Sequence, residues 1–316
     1  MLALPRQLRA RGVLGINARN TDYVQLYNSR HLYPLVDDKL QTKRLALDAG
    51  IAVPALYGTM VTPGETKHFA ELVASHDEFV LKPAHGSGGD GILVFTGRSA
   101  RRRGQYRLID GSFMTEAEIR FHATNIISGR YSLGGNRDCA MLEYCVRADP
   151  VFEHVSYRGI PDIRVLVFRG YPAAAMVRLP TRASHGKANL HQGAVGVGID
   201  LITGQTVHGV LSSAATDEHP DTGELIAGIQ VPNWAKLLEL AARCYELTGL
   251  GYLGVDIVLD RYHGPLILEL NARPGLAIQI ANRIGLAERL RRIEAKPASA
   301  SVADRLTWVR AAFNES

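Results

Sequence analysis

Short apolar runs alternate with polar and glycine-containing stretches along most of the chain, and their spacing separates helices from strands. Apolar residues at helical spacing predict helices over 38–49, 65–75, 115–129 and 231–249. Compact apolar runs predict strands over 53–58, 78–83, 92–95, 106–110, 138–146 and 194–201, and a hairpin over 160–179 that turns at Arg169 and Gly170. The third helix begins at Thr115 with Glu118 three residues on, which is a capping-box pattern.

The segment 254–275, GVDIVLDRYHGPLILELNARPG, contains two apolar runs of the kind found in covered strands, joined by a polar turn. If residues 261–264 form that turn, Asp260 faces Pro265 across an antiparallel pair. Counting outward from this pair then predicts which side chains of the two strands face each other.

Three oxygen-bearing side chains interrupt the apolar runs of this hairpin. The register places Asp256 opposite Glu269 with their β-carbons about 5 Å apart, and Asn271 shares the face of Glu269. Two buried carboxylates this close repel unless a positive charge lies between them, and hard oxygen ligands favour Mg²⁺. The alternative is that one carboxylate is protonated or is salt-bridged to Arg261 or Arg273.

A glycine-rich loop between two strands follows Lys82 in FVLKPAHGSGGDGILVF. Such a loop allows backbone N–H groups to approach phosphate oxygens, and it resembles the flap over the ATP phosphates in kinases. It is neither a P-loop nor a dinucleotide fingerprint, because it leads into a strand and has no GK[ST]. A simple hairpin tip is the alternative, but an unpaired ammonium at Lys82 in an apolar strand would be costly.

The strand in 138–146 ends in LEYCV, and its main chain could hold an adenine base. Adenine needs one acceptor for its amine and one donor for a ring nitrogen, and the end of a buried strand can offer both. The stretch from Glu143 to Val146 is the candidate. Glu143 as an ordinary strand-end residue is the alternative.

Composition narrows the classes of function. The 316 residues are 46% hydrophobic and 21% charged, which suffices for a large buried core. The sequence has no apolar run of membrane-spanning length and no secretory signal pattern, so we expect a cytoplasmic protein without a membrane partner. Three widely spaced cysteines indicate neither disulfides nor a zinc site. The net charge of +5 is modest, and the basic stretch 98–107 fits a solvated loop or an anionic partner.

Several of these motifs, taken in their order along the chain, resemble an ATP-grasp ligase. They are Lys39 in DDKLQTKRLALDAGIAVP, Lys82 with HGSGGDG, LEYCV, DIRVLVF and the Asp256, Glu269 and Asn271 set. Within that superfamily, PDIRVLVFRG, AAAMVRL, ANLHQGA and LELNARPGL resemble the RimK-like alpha-L-glutamate ligases. The resemblance covers residues 37 to about 280.

The resemblance implies an α+β ATP-grasp fold in which two α+β subdomains clamp ATP. It divides the chain into a lead-in segment over 1–36, an ATP-grasp domain over 37–284 with a nucleotide lid over about 60–146, and a helical tail over 285–316. The lead-in is shorter than the separate N-terminal domain of the family, so the usual small-substrate pocket is in doubt. A macromolecular acceptor, a homo-oligomer or a site built by the lead-in segment therefore remains open, whereas nucleic acid is not expected.

The resemblance also implies roles for particular residues. Arg164, Arg178 and Arg273 would neutralise the transferred phosphoryl group or the substrate carboxylate, and Asn189 and His191 would belong to a substrate-facing loop, although a solvated His191 is an alternative. Mg²⁺, with Mn²⁺ as a substitute, would bind Asp256, Glu269 and Asn271. The nucleotide would bind to Lys39, Lys82, Gly86, Ser87, Gly88, Gly89, Gly91, Glu143, Tyr144 and Val146.

Three functions remain in competition at this point. The first is an ATP-dependent carboxylate–amine ligase that forms an amide through an acyl phosphate and adds glutamate or another acidic amino acid to a peptide or protein acceptor. The second is a kinase that uses the same nucleotide platform on a small molecule. The third is a non-catalytic ATP-binding module, against which the retained lysines and the metal-ligand positions argue.

Overall fold

The computed structural model describes residues 3–86, 88–212 and 214–314. The α-helices are α1 (Ala3–Ala10), α2 (Ile16–Ala18), α3 (Gln25–Tyr27), α4 (Pro34–Asp37), α5 (Lys39–Asp48), α6 (Phe69–Leu72), α7 (Glu116–Ile127), α8 (Trp234–Thr248), α9 (Ala277–Ala281), α10 (Leu286–Glu294) and α11 (Val302–Phe313). The strands are β1 (Leu56–Met60), β2 (Phe79–Pro83), β3 (Leu93–Arg98), β4 (Gln105–Leu108), β5 (Phe113–Thr115), β6 (Ala140–Tyr144), β7 (Asp162–Phe168), β8 (Tyr171–Leu179), β9 (Val195–Ile199), β10 (Thr206–Leu211), β11 (Ala214–Thr216), β12 (Tyr252–Asp260) and β13 (Gly264–Asn271). Short 3-10 or π turns occur at Arg19–Val24, Arg30–Leu32, Pro63–His68, Leu133–Gly135, Pro150–Val155 and Leu190–Gln192.

The chain divides into two compact units, of which the smaller comprises residues 38–43 and 53–146. Its six-stranded antiparallel sheet has the order β1-β6-β2-β3-β4-β5. Period-two alternation sends Phe79 and Leu81 of β2 into a core that includes Ile119 of α7. The same alternation leaves Lys82 on the other face of the sheet, where Met141 packs with Leu40.

The larger unit contains the described parts of 1–37, 44–52 and 147–316. Its seven-stranded antiparallel sheet has the order β11-β10-β9-β8-β7-β12-β13. Strands β7, β8 and β12 are almost completely buried, as their near-continuous apolar sequences predict. The fold is α+β with two antiparallel sheets, as predicted. In the described residues, we find no helix that combines the length and apolarity needed to span a bilayer.

The pairing of β12 with β13 confirms that Asp256 faces Glu269, although the turn and the register differ from those predicted. Asp256 lies opposite Glu269, as expected, but Asp260 pairs with Gly264 instead of Pro265. The turn is therefore one residue shorter than predicted. A bulge between Asp256 and Ile257 takes up one extra residue of β13 and restores the predicted register where the polar side chains lie.

Local signals located three of the four predicted internal helices, α5, α7 and α8, and the predicted turn of the β7–β8 hairpin. Thr115 and Glu118 form the predicted capping box, and the predicted turn at Arg169 and Gly170 has positive φ at both residues. The expected helix over 65–75 is instead a 3-10 segment followed by one α-helical turn. The single closing helix expected in the tail is two helices, α10 and α11.

Candidate active site

Asp256 on β12 is the centre of a buried cluster of charged and polar side chains. Its Oδ1 accepts a hydrogen bond from Arg164 Nε at 2.5 Å. Its Oδ2 accepts from Arg164 Nη2 at 2.5 Å, from Arg178 Nη2 at 2.8 Å and from Asn271 Nδ2 at 3.2 Å. A single carboxylate therefore joins two arginines and the predicted metal-binding amide.

Strand register explains why these residues meet. Arg164 of β7 pairs directly with Asp256 of β12, and Asp162 of β7 pairs with Arg178 of β8. Asp162 and Arg164 are two residues apart and share a face of the sheet. Arg178 also donates two hydrogen bonds of 2.5 Å to Asp162, a partner that the sequence analysis did not identify.

The two aspartates respond differently to burial. Burial opposes ionisation of Asp256, but Arg164 and Arg178 outweigh it and lower the pKa of this carboxyl below its ordinary value. Burial raises the pKa of Asp162 despite its contact with Arg178, and the negative charge of Asp256 adds to the increase. Asp256 is thus the carboxylate that the arginines keep ionised.

The oxygen ligands near Asp256 fit a magnesium ion, and Glu269 rather than Asp256 supplies the carboxylate that no described arginine neutralises. Glu269 is half-buried, and its side chain makes no hydrogen bond or ion pair with any described residue. Asn271 uses its amide nitrogen on Asp256, which leaves its Oδ1 for another partner. Positive charge next to Asp256 is already supplied by arginines, whereas the charge of Glu269 is unbalanced. Hard oxygens on Glu269 and Asn271, beside Asp256, suit Mg²⁺.

The alternative of a salt bridge to Arg261 or Arg273 is not what the structure shows. Arg164 and Arg178 are the partners of Asp256. Strand β13 ends at Asn271, so the extension that would have aligned Arg273 with Glu269 does not continue. Arg273 is exposed, and its guanidinium carbon lies 5.1 Å from the centre of the Tyr33 ring. Strand alternation therefore does not place Arg273 on the face of Glu269 and Asn271.

In the smaller unit, Glu143 lies between two lysines. All three side chains are buried, with Lys43 Nζ 3.0 Å from Glu143 Oε2 and Lys82 Nζ paired with Oε1. Burial opposes ionisation of Glu143, but Lys82 and Lys43 outweigh it and its pKa is lowered. Burial lowers the pKa of Lys43 although Glu143 counteracts it. Glu143 is thus a protein partner of Lys82 that the sequence analysis did not identify.

Lys43 was absent from the predicted site, although the sequence contained a signal for it. It lies three residues after Leu40 on α5, so the two share a helix face. Leu40 packs against Met141 of β6, and Glu143 is two residues further along the same face of that strand. Helical spacing combined with strand alternation therefore places Lys43 near Glu143.

Replacing Lys82 by alanine is expected to lower ATP affinity by about tenfold or more, because its ammonium is a proposed phosphate contact. The melting temperature should fall only moderately, since Lys43 remains beside Glu143. Isothermal calorimetry with MgATP and thermal denaturation measure the two effects. Lys236→Ala, which removes an exposed lysine of α8, is the matched control. Unchanged ATP affinity in Lys82→Ala would remove Lys82 from the nucleotide site.

The glycine loop adopts a conformation that depends on glycine. Gly88, Gly89 and Gly91 have φ of 65°, 80° and 76°. A Cβ on Gly91 would lie 2.6 Å from the Tyr131 ring. Ser87, another predicted nucleotide contact, lies outside the described residues.

The start of this loop is held by polar contacts. Lys39 Nζ donates to the Gly86 carbonyl oxygen at 2.5 Å. His85, which had no role in the sequence analysis, contacts the buried Asp138 through its backbone amide at 3.1 Å and its Nδ1 at 2.8 Å. Ser132 also donates to Asp138 at 2.7 Å. Lys39, which was predicted to bind phosphate, is thus hydrogen-bonded to Gly86, the first glycine of the loop.

The strand-end stretch predicted to hold adenine is largely engaged within the sheet. Glu143 pairs with β1 and β2, and the Tyr144 amide donates to the Ala55 carbonyl oxygen at 2.8 Å. Val146 follows the strand, and its main-chain N–H and C=O make no hydrogen bond with any residue that the structure describes. Val146 is therefore the member of this stretch with a donor and an acceptor available.

The two remaining predicted residues belong to the loop between β8 and β9. Asn189 Oδ1 accepts from the backbone amide of His191 at 3.0 Å, which caps the short 3-10 turn at Leu190–Gln192. His191 is exposed. The structure thus gives Asn189 a local structural contact and leaves the His191 side chain facing solvent.

Comparison with known protein families shows to which family the chain belongs. A model of the sugar-transfer associated ATP-grasp family matches residues 18–295. The chain belongs to this family. The predicted ATP-grasp fold is confirmed, and the match extends into the segment before Lys39 that sequence analysis treated as a lead-in.

Individual relatives share this relationship at low identity. A protein of Maridesulfovibrio salexigens named probable alpha-L-glutamate ligase is 26% identical over 274 residues, covering 87% of this chain and 64% of the relative. This supports the predicted likeness to glutamate ligases. The chain thus spans less than two thirds of that relative's length.

Two solved ATP-grasp structures are also similar. A RimK-domain ATP-grasp protein from Sphaerobacter thermophilus is 15% identical with a TM-score of 0.46, over 84% of this chain and 70% of that one. The ATP-grasp ligase PsnB with its minimal precursor is 16% identical with a TM-score of 0.44, over 88% and 64%.

Proposed function

We propose that this protein is an ATP-dependent carbon–nitrogen ligase that joins a carboxylate to an amine. The observation that carries the proposal is the buried cluster in which Asp256 holds Arg164, Arg178 and Asn271 beside the unpaired Glu269. Phosphoryl transfer depends mainly on positioning and charge neutralisation, and this cluster supplies fixed cations next to oxygen ligands.

In this proposal, a substrate carboxylate oxygen attacks the γ-phosphorus of ATP, and ADP leaves. An amine then attacks the acyl phosphate and inorganic phosphate leaves, so that one amide forms for each ATP consumed. Arg164 and Arg178 stabilise the charge on the transferred phosphoryl group, and Asp256 keeps both guanidinium groups in place. A divalent cation held by Glu269, Asn271 and Asp256 would neutralise phosphate charge.

For the nucleotide, we assign phosphate contacts to Lys39, Lys82 and the glycine loop, and adenine contacts to the main chain of Val146. The substrates follow from the relatives. The name of the probable alpha-L-glutamate ligase supports glutamate as a substrate. We assign glutamate as the amine donor and a peptide or protein carboxylate as the acceptor. Because the family is described as sugar-transfer associated, sugar acids are also tested as acceptors.

Mass spectrometry of reactions with ATP and Mg²⁺ tests this proposal. The protein is incubated with panels of amino acids, peptides and sugar acids, singly and in pairs. We expect ADP, phosphate and a product whose mass is the sum of two substrates minus one water. A phosphorylated product that forms without an amine would instead establish a kinase. ATP that remains intact with every pair would contradict the ligase assignment.

A further inference from the structure

Two arginines outside the Asp256 cluster lie against one aromatic ring in the larger unit. The guanidinium carbon of Arg158 is 5.3 Å from the centre of the Tyr157 ring, and that of Arg182 is 5.4 Å from it. Both arginines are exposed, and neither forms an ion pair with any described residue. Two guanidinium groups thus contact the same neutral ring.

Unusual backbone conformations and a close backbone contact occur in the two loops that carry these arginines. Arg158 has φ of 56°, which is uncommon for a residue with a side chain, and His185 in the facing loop has φ of 52°. A Cβ on Gly159 would lie 1.7 Å from the Gly186 carbonyl oxygen, so the two loops touch backbone to backbone. Tyr157 also donates its amide to the Pro180 carbonyl oxygen at 2.9 Å. Such strained backbones are concentrated at functional sites.

Sheet topology places this pair beyond the end of β7 and β8 that lies on the Arg178 side of the proposed catalytic cluster. Arg158 precedes the start of β7, and Arg182 follows the end of β8. That end is marked by the Asp162–Arg178 pair. Arg178 is itself occupied by two aspartates, so it has less capacity to hold a further carboxylate.

We propose that Arg158 and Arg182, positioned by Tyr157, form a recognition site for the side-chain carboxylate of an acidic amino-acid substrate. The inference rests on the proposed ligase function and names the residues that select its donor. A guanidinium group presents a planar fork of donors that matches a carboxylate. This assignment replaces Arg273 and Arg178 as the groups that select the acidic substrate.

Calorimetric binding without turnover tests the site. Glutamate, aspartate, glutamine and asparagine are titrated into the full chain with Mg²⁺ and a non-hydrolysable ATP analogue. We expect each acid to bind about ten- to a hundredfold more tightly than its amide. Arg158→Ala and Arg182→Ala should each reduce this preference by about tenfold, and the double variant should abolish it. Arg310→Ala, which removes an exposed arginine of α11, should retain it.

Additional variants separate recognition from folding. Arg158→Lys with Arg182→Lys keeps both charges but removes the forks, and we expect a preference between those of the wild type and the double alanine variant. Thermal denaturation of each variant shows whether it is folded. No preference for the acids in the wild type, or full preference in either double variant, would overturn the proposal. Displacement of glutamate by millimolar inorganic phosphate alone would overturn it as well, by identifying a phosphate site.

These results are distinguishable from a failure of the proposed function. Acid preference that depends on Arg158 and Arg182 would stand even if no amide product formed with ATP. Conversely, amide formation with unchanged acid preference in the double alanine variant would retain the ligase and reject this site.

Discussion

Asp256→Asn is expected to eliminate ATP-dependent product formation and to lower the melting temperature. The substitution leaves the buried Arg164 without a carboxylate partner among the described residues and leaves Arg178 with Asp162 alone. Removing one partner from a buried ion pair typically costs about 3–5 kcal/mol of folding free energy. The measurements are thermal denaturation and ADP release with the substrate pair identified by mass spectrometry.

Glu269→Gln is the matched contrast for that prediction. Glu269 has no ion pair with a described residue, so its substitution should change folding free energy by less than about 0.5 kcal/mol. Product formation should still fall to background, because a proposed metal ligand is neutralised. Equal loss of stability in both variants would contradict the unequal roles assigned to the two carboxylates. ADP release at the wild-type rate in Glu269→Gln would remove it from the metal site.

Glu143→Gln is expected to be the most destabilising change in the smaller unit. It leaves the buried ammonium groups of Lys43 and Lys82 without a carboxylate, at a cost of about 3–5 kcal/mol near neutral pH. ATP binding should weaken too, because Lys82 loses the partner that positions it. Thermal denaturation and calorimetry measure both effects, and Glu153→Gln, at an exposed glutamate, is the control.

The pH dependence of Glu143→Gln follows from the lysines. Burial already lowers the pKa of Lys43 while Glu143 opposes this, so removing Glu143 should lower it further. The folded state then binds fewer protons than the unfolded state, and stability rises with pH. The difference in folding free energy between Glu143→Gln and the wild type should therefore shrink as pH increases toward the ordinary lysine range. A difference that is constant from pH 7 to about 10 would contradict buried, charged lysines as its cause.

The sequence was most informative where alternation and pairing act over short distances. The hairpin register brought Asp256 and Glu269 face to face, even though a shorter turn and a bulge compensated for each other. Side-chain spacing in β7 and β8 likewise placed arginines near this hairpin once the strand order was known. Period-two alternation thus predicts faces reliably when the strands are buried.

Partners that depend on the order of strands could not be predicted. The sequence offered Arg261 and Arg273 as neighbours of Asp256, but β7 lies beside β12 and supplies Arg164 instead. Repulsion between facing carboxylates would predict that Asp256→Asn raises the melting temperature. The arginines reverse that sign. The exposed Arg273 also shows that extrapolating a strand beyond its last residue is unsafe.

The most direct test of the proposed acyl-phosphate mechanism follows the oxygen atoms of the acceptor carboxylate. The acceptor carboxylate is labelled with two ¹⁸O atoms, and its reaction with ATP, Mg²⁺ and the amine is analysed by mass spectrometry. Activation as an acyl phosphate predicts that one ¹⁸O appears in inorganic phosphate and one remains in the amide, with ADP as the nucleotide product. Unlabelled phosphate, or AMP with pyrophosphate, would contradict the account.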